Sequence, residues 1–249
     1  DVRLTGALAT EEGDFGDSLS FLERSELIRL SVGRRDTVVY FEESSRQALD
    51  LYRNSIAHFL VTPSLLARRL QNSPVTREEL RDDLRFWQEL LYREYFMPRD
   101  VILASRFDGL VDYFETRGWI RVSADGKLVV APSGGDPFAS FENQTRGILE
   151  VYLSLFDVFF DQPPGLRRKD IFKRAKANFE RARVLGDATR LEALNETTLA
   201  NALDLLLRSD VVVEEQGKGA PRDPAFGKGA RWEDLESLFE TLAGALAGR

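Results

Sequence analysis

The stretch FASFENQTRGILEVYLSLFDVFF, residues 138–160, decides the fold of this chain. It is long enough for about six turns of α-helix. Its polar residues Glu150, Ser154 and Asp157, with Asp161 just beyond, recur every three or four positions and therefore share one narrow stripe. Most of the remaining surface is apolar. We therefore predict a long helix that is buried on most sides by partner helices.

Other amphipathic segments can supply those partners. The clearest begins with Thr76 and Glu79, which have the spacing of a capping box, and continues with apolar residues at helical intervals to Tyr95. Ser44 and Gln47 have the same capping spacing. Similar apolar periodicity predicts helices over residues 19–30, 44–58, 63–71, 107–117, 167–185, 198–208 and 232–246.

Strand signals are short and few. Residues 37–41 and 211–213 are β-prone runs. Asp125-Gly126 lies between two apolar runs and predicts a tight hairpin just after the helix over residues 107–117. A helix followed by a hairpin is typical of a winged-helix unit. The fold class we predict is mainly α with small β-hairpins, a helical bundle with winged-helix-like elements.

Proline and glycine divide the chain. The run Pro-Ser-Gly-Gly-Asp-Pro at residues 132–137 is the best candidate linker. We predict a helical subdomain with the hairpin over residues 1–131 and a second helical subdomain over residues 138–249. Residues 216–230 are rich in glycine, proline and charge, which predicts a flexible loop.

Composition excludes several classes of site. The 249 residues carry a formal charge of −7, which does not favour non-specific nucleic-acid binding. There is no cysteine and one histidine, so disulfides, thiolate catalysis and multi-histidine metal sites are excluded. No apolar run approaches the ~18 residues of a membrane-spanning helix. The first residue is not methionine, which favours a processed protein or an excised segment.

The densest group of candidate site residues is Tyr52, Arg53, Asn54 and His58. Asn54 and His58 are four positions apart and share one face of a helix. One interpretation is a buried polar network that ties this helix to its neighbours. The other is a site that contacts substrate or another domain, and the sequence leaves both open.

The second candidate is the basic helix over residues 167–185, in which only Asp170 and Glu180 oppose the cations. Such a helix is either a solvated face or a surface attracted to anionic lipid headgroups. Phe172 and Phe179 fit either a core or a membrane interface. The candidate lipid-contacting residues are Arg167, Arg168, Lys169, Lys173, Arg174 and Lys176.

Catalytic motifs are scarce. Gly227-Lys228-Gly229 lacks the earlier glycine and the following Ser or Thr of a phosphate loop. The carboxylate pairs at residues 11–12, 42–43 and 82–83 are explained by solvated or helix N-terminal charge. We expect no metal and no cofactor, and an independent enzyme using these carboxylates is a weak alternative.

Tyr52, Arg53, Asn54 and His58 resemble a Tyr-Arg-Asn-Asn-x-x-x-His-like stretch of the bacterial and mitochondrial glycerol-3-phosphate acyltransferases, with Ser55 in place of the second asparagine. Residues 90–98, LLYREYFMP, resemble a later stretch of the same family. The similarity covers residues 25–215. It implies the family's activity for the whole protein, transfer of an acyl group from an acyl-thioester to the 1-position of glycerol 3-phosphate.

One departure from the family pattern limits what the resemblance implies. The family's catalytic His-x-x-x-x-Asp motif is absent, because His58 is followed five positions later by Pro63. The resemblance therefore implies a non-catalytic C-terminal helical region without the catalytic half, which stabilises the catalytic domain or positions it on the membrane. The implied partners are the catalytic domain of the same polypeptide and an anionic membrane surface, with no nucleic acid. The implied location is peripheral, on the cytoplasmic face of the inner membrane.

A winged-helix transcriptional regulator or a protein-interaction adaptor is the alternative. It follows from the helix and hairpin around Asp125-Gly126. Its weakness is the acidic character of residues 107–117, where Asp108, Asp112 and Glu115 outnumber Arg117.

Overall fold

The structure is a computed structural model. It describes residues 12–34, 36–95, 103–160, 165–189, 191–215 and 224–247. Within these ranges, the side chains of residues 12–15, 43, 46, 47, 50–59, 103–106 and 192 lie outside the description.

Helices dominate the described residues, and three small antiparallel sheets accompany them. The helices are α1 Glu12–Arg24, α2 Arg46–Asn72, α3 Arg77–Tyr95, α4 Leu103–Thr116, α5 Gly135–Phe160, α6 Arg168–Leu185, α7 Glu196–Arg208 and α8 Asp234–Ala247. The strands are β1 Arg29–Val32, β2 Thr37–Tyr40, β3 Ile120–Val122, β4 Leu128–Val130, β5 Leu166–Arg167, β6 Val212–Glu215 and β7 Ala225–Lys228. β1 pairs with β2, β3 pairs with β4, and the third sheet has the order β5-β7-β6. The predicted fold class is confirmed.

Helix α5 is the centre of the fold. It packs against α2, α6, α7 and α8. Leu149, Tyr152, Leu155 and Phe156 are fully buried, as expected for a helix with apolar surface on several sides. The prediction of a long helix enclosed by partners is confirmed. None of the described helices combines the length and the apolarity that a bilayer span requires.

The start of α3 confirms the predicted capping box. The Thr76 amide donates to the Glu79 carboxylate at 2.8 Å, and the Glu79 amide donates to the Thr76 hydroxyl at 3.2 Å. These two bonds satisfy amides that have no partner inside the helix. They also lower the pKa of Glu79, since the Thr76 backbone and hydroxyl favour the ionised carboxylate.

The predicted hairpin is also confirmed, and it is attached firmly to the core. β3 and β4 pair as expected, and Val75 bridges to Leu128 beside them. Trp119 packs against Phe114 and Phe138, with ring centroids 5.6 and 6.3 Å away. The chain then passes so close to Trp119 that any side chain at Gly134 would collide with the Trp119 carbonyl.

Two predicted helices, over residues 44–58 and 63–71, are one helix in the structure, α2, with Pro63 inside it. The prediction that the chain breaks between them was wrong. Proline removes one helical hydrogen bond and usually kinks or ends a helix. Here continuation keeps Val61, Leu65 and Leu66 on one buried face against α5, and that burial outweighs the local cost.

The predicted cap formed by Ser44 and Gln47 was wrong as well. A 3₁₀ turn, Glu43–Ser45, precedes α2, and Ser45 occupies the N-cap position without a side-chain capping bond. The backbone of Ser45 is already helical, so its hydroxyl cannot reach the next amides as an extended N-cap residue would. It donates to the Glu26 carbonyl at 3.3 Å instead.

The predicted helix over residues 19–30 ends early, at Arg24. Glu26 has a left-handed backbone, and the Leu27 amide donates to the Leu22 carbonyl, which is the pattern of a Schellman stop. Leu30 therefore lies in β1 rather than in a helix.

Part of the predicted loop over residues 216–230 is a strand. β7 pairs with both β5 and β6, because Phe226 is buried between them and anchors the strand. Residues 216–223 lie outside the described residues. At the predicted linker, Pro132–Gly134 forms a 3₁₀ turn and Gly135 begins α5. The division into two subdomains at residues 132–137 stays a prediction.

Candidate functional site

The structure places Tyr52, Arg53, Asn54 and His58 in the first half of α2, which confirms that they lie on a helix. Their side chains lie outside the description. The choice between a structural network and a contact site therefore stays a prediction for these four residues.

A buried ion-pair network lies further along α2, where it crosses α5. Arg68 is 2% exposed. Its guanidinium donates to the Ala245 carbonyl of α8 at 2.6 Å and to the Glu142 carbonyl of α5 at 2.9 Å, and it lies 3.0 Å from the Glu142 carboxylate. Burial lowers the pKa of Arg68 to about 10, while Glu142 opposes that shift. Arg68 therefore stays charged at neutral pH and ties three helices together.

The network continues along α5. The Arg146 guanidinium donates to the Glu150 carboxylate at 2.8 Å, and both side chains are buried. The same carboxylate accepts from the Thr189 amide at 2.9 Å and from its hydroxyl at 3.1 Å. The polar stripe predicted on α5 thus faces α6 and the segment that follows it, since Arg181 of α6 lies 3.5 Å from Asp157. We name Arg68, Glu142, Arg146 and Glu150 the buried ion-pair network.

A second, part-buried polar contact joins α3 to α5. The Tyr152 hydroxyl donates to the Glu94 carboxylate at 3.0 Å. Burial raises the pKa of Glu94, although hydrogen bonds from Asn201 and Tyr152 partly oppose the shift. Burial and the nearby Glu94 charge raise the pKa of Tyr152 well above its ordinary value. The contact holds α3 and α5 together.

An open cleft of about 330 Å³ lies between α3, α7 and the third sheet. Two of its charged side chains pair with each other: Arg93 lies 3.2 Å from Asp204, and Asp204 also accepts from Arg208, at 2.7 Å. Arg168 and Glu214 line the cleft as well. Within the described ranges, no group of three or more acidic or histidine side chains could hold a metal ion. The cleft is open to solvent, so its charged groups are not desolvated as a catalytic site requires.

The six basic candidates divide into two sets. In the first set, Arg168 lies over the Phe172 ring at 5.1 Å and Lys176 lies 3.8 Å from Glu196. Arg167, at the end of β5 and just before α6, also has an interaction partner. Phe179 is fully buried and Phe172 packs against the core. Lys169, Lys173 and Arg174 have no carboxylate within 4 Å among the residues described. These three make the exposed face of α6 basic.

The hairpin β1–β2 exposes apolar side chains. Val32 is 79% exposed, Val38 58%, Val39 45% and Tyr40 48%. Val39 is opposite Leu30 and Val38 is opposite Ser31, so Val38 and Val39 point to opposite faces of the pair. No third strand joins this pair in the described part of the chain. We name Val32, Val38, Val39 and Tyr40 the apolar hairpin.

The helix of the predicted winged-helix unit, α4, presents carboxylates that are already paired. Arg77 of α3 lies 2.7 Å from Asp112 and 2.8 Å from Glu115, and Arg81 lies 3.0 Å from Asp108. Arg77 and Arg81 are therefore engaged by these carboxylates and are not available to bind a phosphate backbone.

Sequence reasoning missed Arg68 and Glu142, and it noted Glu150 only as a member of a polar stripe. One signal was available: Arg146 precedes Glu150 by four positions within an apolar helix, the spacing of a helical ion pair. A lone charge among apolar residues also marks a buried pair, since an unpaired one would be costly. Nothing in the sequence connects Arg68 to residues 142 and 245.

Comparisons with known proteins agree with the resemblance. The family described as the glycerol-3-phosphate acyltransferase C-terminal region matches residues 5–215. A glycerol-3-phosphate acyltransferase from Shewanella amazonensis (strain ATCC BAA-1098 / SB2B) is 28% identical over 149 residues. That alignment covers 59% of this chain and 18% of the relative, so the matched part is less than a fifth of that protein's length.

Proposed function

The chain belongs to the family of glycerol-3-phosphate acyltransferase C-terminal regions, and from that premise we propose that it is the non-catalytic helical part of a glycerol-3-phosphate 1-O-acyltransferase. The whole enzyme would transfer an acyl group from an acyl-thioester to the 1-hydroxyl of glycerol 3-phosphate, in phospholipid biosynthesis. The chain would stabilise the catalytic domain and position it on the membrane.

The state of the charged groups supports a non-catalytic role. The buried network of Arg68, Glu142, Arg146 and Glu150 is engaged with backbone carbonyls, amides and opposite charges. Such contacts fix helix packing. The only histidine, His58, is not followed by the aspartate of the family's catalytic motif.

The observation that carries the docking role is the apolar hairpin. A two-stranded pair is marginally stable alone, and this one shows valines on both faces and open edges. Several apolar side chains exposed on one small element in this way favour an interaction site. The occupant we propose is the catalytic domain of the same polypeptide, because the matched region is only 18% of the relative's length.

The docking role can be tested with one substitution in two settings. Val38→Asp should lower the activity and the melting temperature of the full-length enzyme, because a carboxylate would be buried in the interface. The same change should alter the free energy of unfolding of the 249-residue chain by no more than about 0.5 kcal/mol, since Val38 is exposed there. Activity assays and thermal unfolding of both proteins give the comparison.

The matched control is Val122→Asp, on the other hairpin. Val122 is 55% exposed, close to the 58% of Val38, and lies on a strand of similar length. It should leave the full-length enzyme unchanged. Unchanged activity and stability with Val38→Asp would contradict docking through the hairpin. If Val38→Asp destabilises the 249-residue chain as much as it destabilises the full-length enzyme, the chain's own residues cover Val38. That result would also contradict docking through the hairpin.

The accessory role has its own test, which does not depend on the hairpin. Removal of these 249 residues from the full-length enzyme should reduce acyltransferase activity, and adding the chain as a separate polypeptide should restore part of it. A truncated enzyme with full activity would contradict the accessory role. Acyl transfer by the 249-residue chain alone would contradict the non-catalytic assignment.

The proposed location is peripheral, at the cytoplasmic face of the inner membrane, with anionic lipid as a second partner. The basic exposed face of α6 supports this proposal. Fractionation of cells with and without high salt checks it, because an electrostatically bound protein should leave the membrane at high ionic strength.

A winged-helix regulator remains the alternative, and α4 followed by β3–β4 is the observation that favours it. The ion pairs from Arg77 and Arg81 to the α4 carboxylates count against it. Binding to duplex DNA that weakens steeply with salt would support the alternative. No binding at low salt would remove it.

A further inference from the structure

We infer that the outer face of α6, together with the apolar end of that helix, is a docking surface for the anionic headgroup layer of a membrane. This deepens the membrane-positioning part of the proposed function by naming the surface. It commits to three cations, Lys169, Lys173 and Arg174, and to two apolar residues, Val184 and Leu185.

The cations are available for an external partner. The described structure places no carboxylate within 4 Å of Lys169, Lys173 or Arg174, whereas other cations of the same helix are engaged. Arg183 lies 2.8 Å from Glu180, and Arg181 lies 3.5 Å from Asp157. An internal role in the fold therefore does not account for the three cations.

The acidic residues of the helix do not cancel this charge. Glu180 is neutralised by Arg183. Asp170 lies in the first turn, where the helix dipole favours a carboxylate, and it is one negative charge against three free cations. The exposed face thus keeps a positive surplus on a chain whose net charge is −7.

The end of the helix is apolar and strongly exposed. Val184 is 82% exposed and Leu185 is 70% exposed. Gly186 closes the helix in a left-handed conformation, and its amide donates to the carbonyls of the last turn, so the two residues are held in place. Exposed aliphatic side chains fixed in this way have no function in the packing of the described fold.

Charge and apolar surface lie on the same side. Val184 follows Lys173 by eleven residues, which is three helical turns within about 20°, so the two side chains share one face. They are separated by about 16 Å along the axis. A helix that carries cations and aliphatic residues on one exposed face is suited to the membrane interface, where both headgroups and acyl chains are in reach.

The test uses the 249-residue chain and vesicles. Co-sedimentation is measured with vesicles of equimolar phosphatidylcholine and phosphatidylglycerol, and with vesicles of phosphatidylcholine alone. We expect binding to the anionic vesicles only. Replacing the three cations by glutamine (K169Q/K173Q/R174Q) should lower the partition coefficient on the order of a hundred-fold. Val184→Ser with Leu185→Ser should also weaken binding, by about ten-fold or more.

A matched control removes the same charge elsewhere. Arg29, Arg85 and Arg231 are exposed and lie on other elements, and R29Q/R85Q/R231Q changes the net charge equally. It should reduce binding by far less than the α6 variant. Equal losses would mean that total charge, not this face, governs binding, and would overturn the inference.

A probe at the helix end tests the geometry. The chain has no cysteine, so Val184→Cys provides one labelling site for an environment-sensitive fluorophore. Its emission should shift to shorter wavelength on anionic vesicles. No vesicle binding, binding to DNA through the same face instead, or a silent probe on bound protein would each overturn the inference. Because only the chain and lipid are present, failure here would leave docking to the catalytic domain unaffected.

Discussion

Two groups of cations in this chain have opposite surroundings. Arg68 and Arg146 are buried beside α5, and each is paired with a carboxylate; Arg68 also donates to two backbone carbonyls. Lys169, Lys173 and Arg174 lie on the outside of α6, without an ion-pair partner in the described structure. The buried cations therefore stabilise the fold, whereas the exposed cations of α6 are available to bind a partner. The difference separates residues that hold the domain together from residues that can bind something else.

The difference is energetic as well as geometric. A buried charge that loses its partner costs several kcal/mol, because water cannot replace the lost interaction. An exposed charge is hydrated whether or not it is paired, so its removal scarcely affects folding. Unfolding measurements should therefore rank the buried ion-pair network far above the α6 face.

The largest loss is expected for Arg68→Met. It would leave the Glu142 carboxylate without its nearest cation, and it would remove the side-chain donor from the Ala245 and Glu142 carbonyls. The free energy of unfolding should fall by about 3–5 kcal/mol, measured by urea denaturation of the 249-residue chain. Arg85→Met is the control, since Arg85 forms an exposed pair with Asp82 and should change stability by no more than about 0.5 kcal/mol. If the two variants lower the free energy of unfolding equally, buried and exposed cations do not differ in their contribution to stability as we predict.

The next largest effect is expected for Glu150→Gln. The variant keeps the shape and an oxygen acceptor for Thr189, but it removes the charge that faces Arg146. We expect a loss of about 1.5–3 kcal/mol, the range for a hydrogen bond to a charged group. Glu180→Gln on α6 is the paired control, because Glu180 forms an exposed ion pair with Arg183. A larger loss at Glu180 than at Glu150 would reverse our ranking.

The sequence predicted the helices that hold the buried ion-pair network, but it did not predict the network itself. The period of the apolar residues predicted α5 as a buried helix, and the spacing of Thr76 and Glu79 predicted the start of α3, because both signals are local. The buried network was missed because the partners of Arg68 lie far along the chain. Two of them, at Ala245 and Glu142, are backbone carbonyls, which leave no signal in side-chain chemistry.

Local signals also failed where tertiary packing opposed them. Pro63 predicted a break in α2, and the burial of Leu65 and Leu66 against α5 prevented it. The six basic candidates could be found from composition. Which of them are free depends on Glu196 of α7 and on the ring of Phe172, and only the three-dimensional structure supplies those contacts.

A pH measurement sharpens the contrast for a buried carboxylate. Burial raises the pKa of Glu94 above its unfolded value, so the folded chain binds its proton more tightly than the unfolded chain. The stability contributed by Glu94 is therefore fully present below the ordinary carboxyl pKa and is lost as pH rises through the raised pKa. Glu94→Gln lacks this dependence.

The unfolding free energy of Glu94→Gln minus that of the unmodified chain should therefore increase as pH rises above the ordinary carboxyl pKa, and should level off above the raised pKa of Glu94. Other titrating groups cancel in this difference. Tyr152 can still donate to the glutamine oxygen, so the hydrogen bond between α3 and α5 is retained. A difference that does not depend on pH would show that Glu94 is solvated like the surface carboxylates.

The smallest effect on folding is expected for Lys173→Gln, and it is the most informative about the exposed face. Lys173 has no ion-pair partner in the described fold, so the free energy of unfolding should stay within about 0.5 kcal/mol of the unmodified chain. Its partition onto anionic vesicles should nevertheless fall about five-fold, the effect of one basic residue near such a surface. Arg68→Met should show the reverse, a large loss of stability with unchanged vesicle binding by the folded fraction. If Lys173→Gln destabilises the chain, or leaves vesicle binding intact, the two groups of cations do not divide between folding and binding as their surroundings predict.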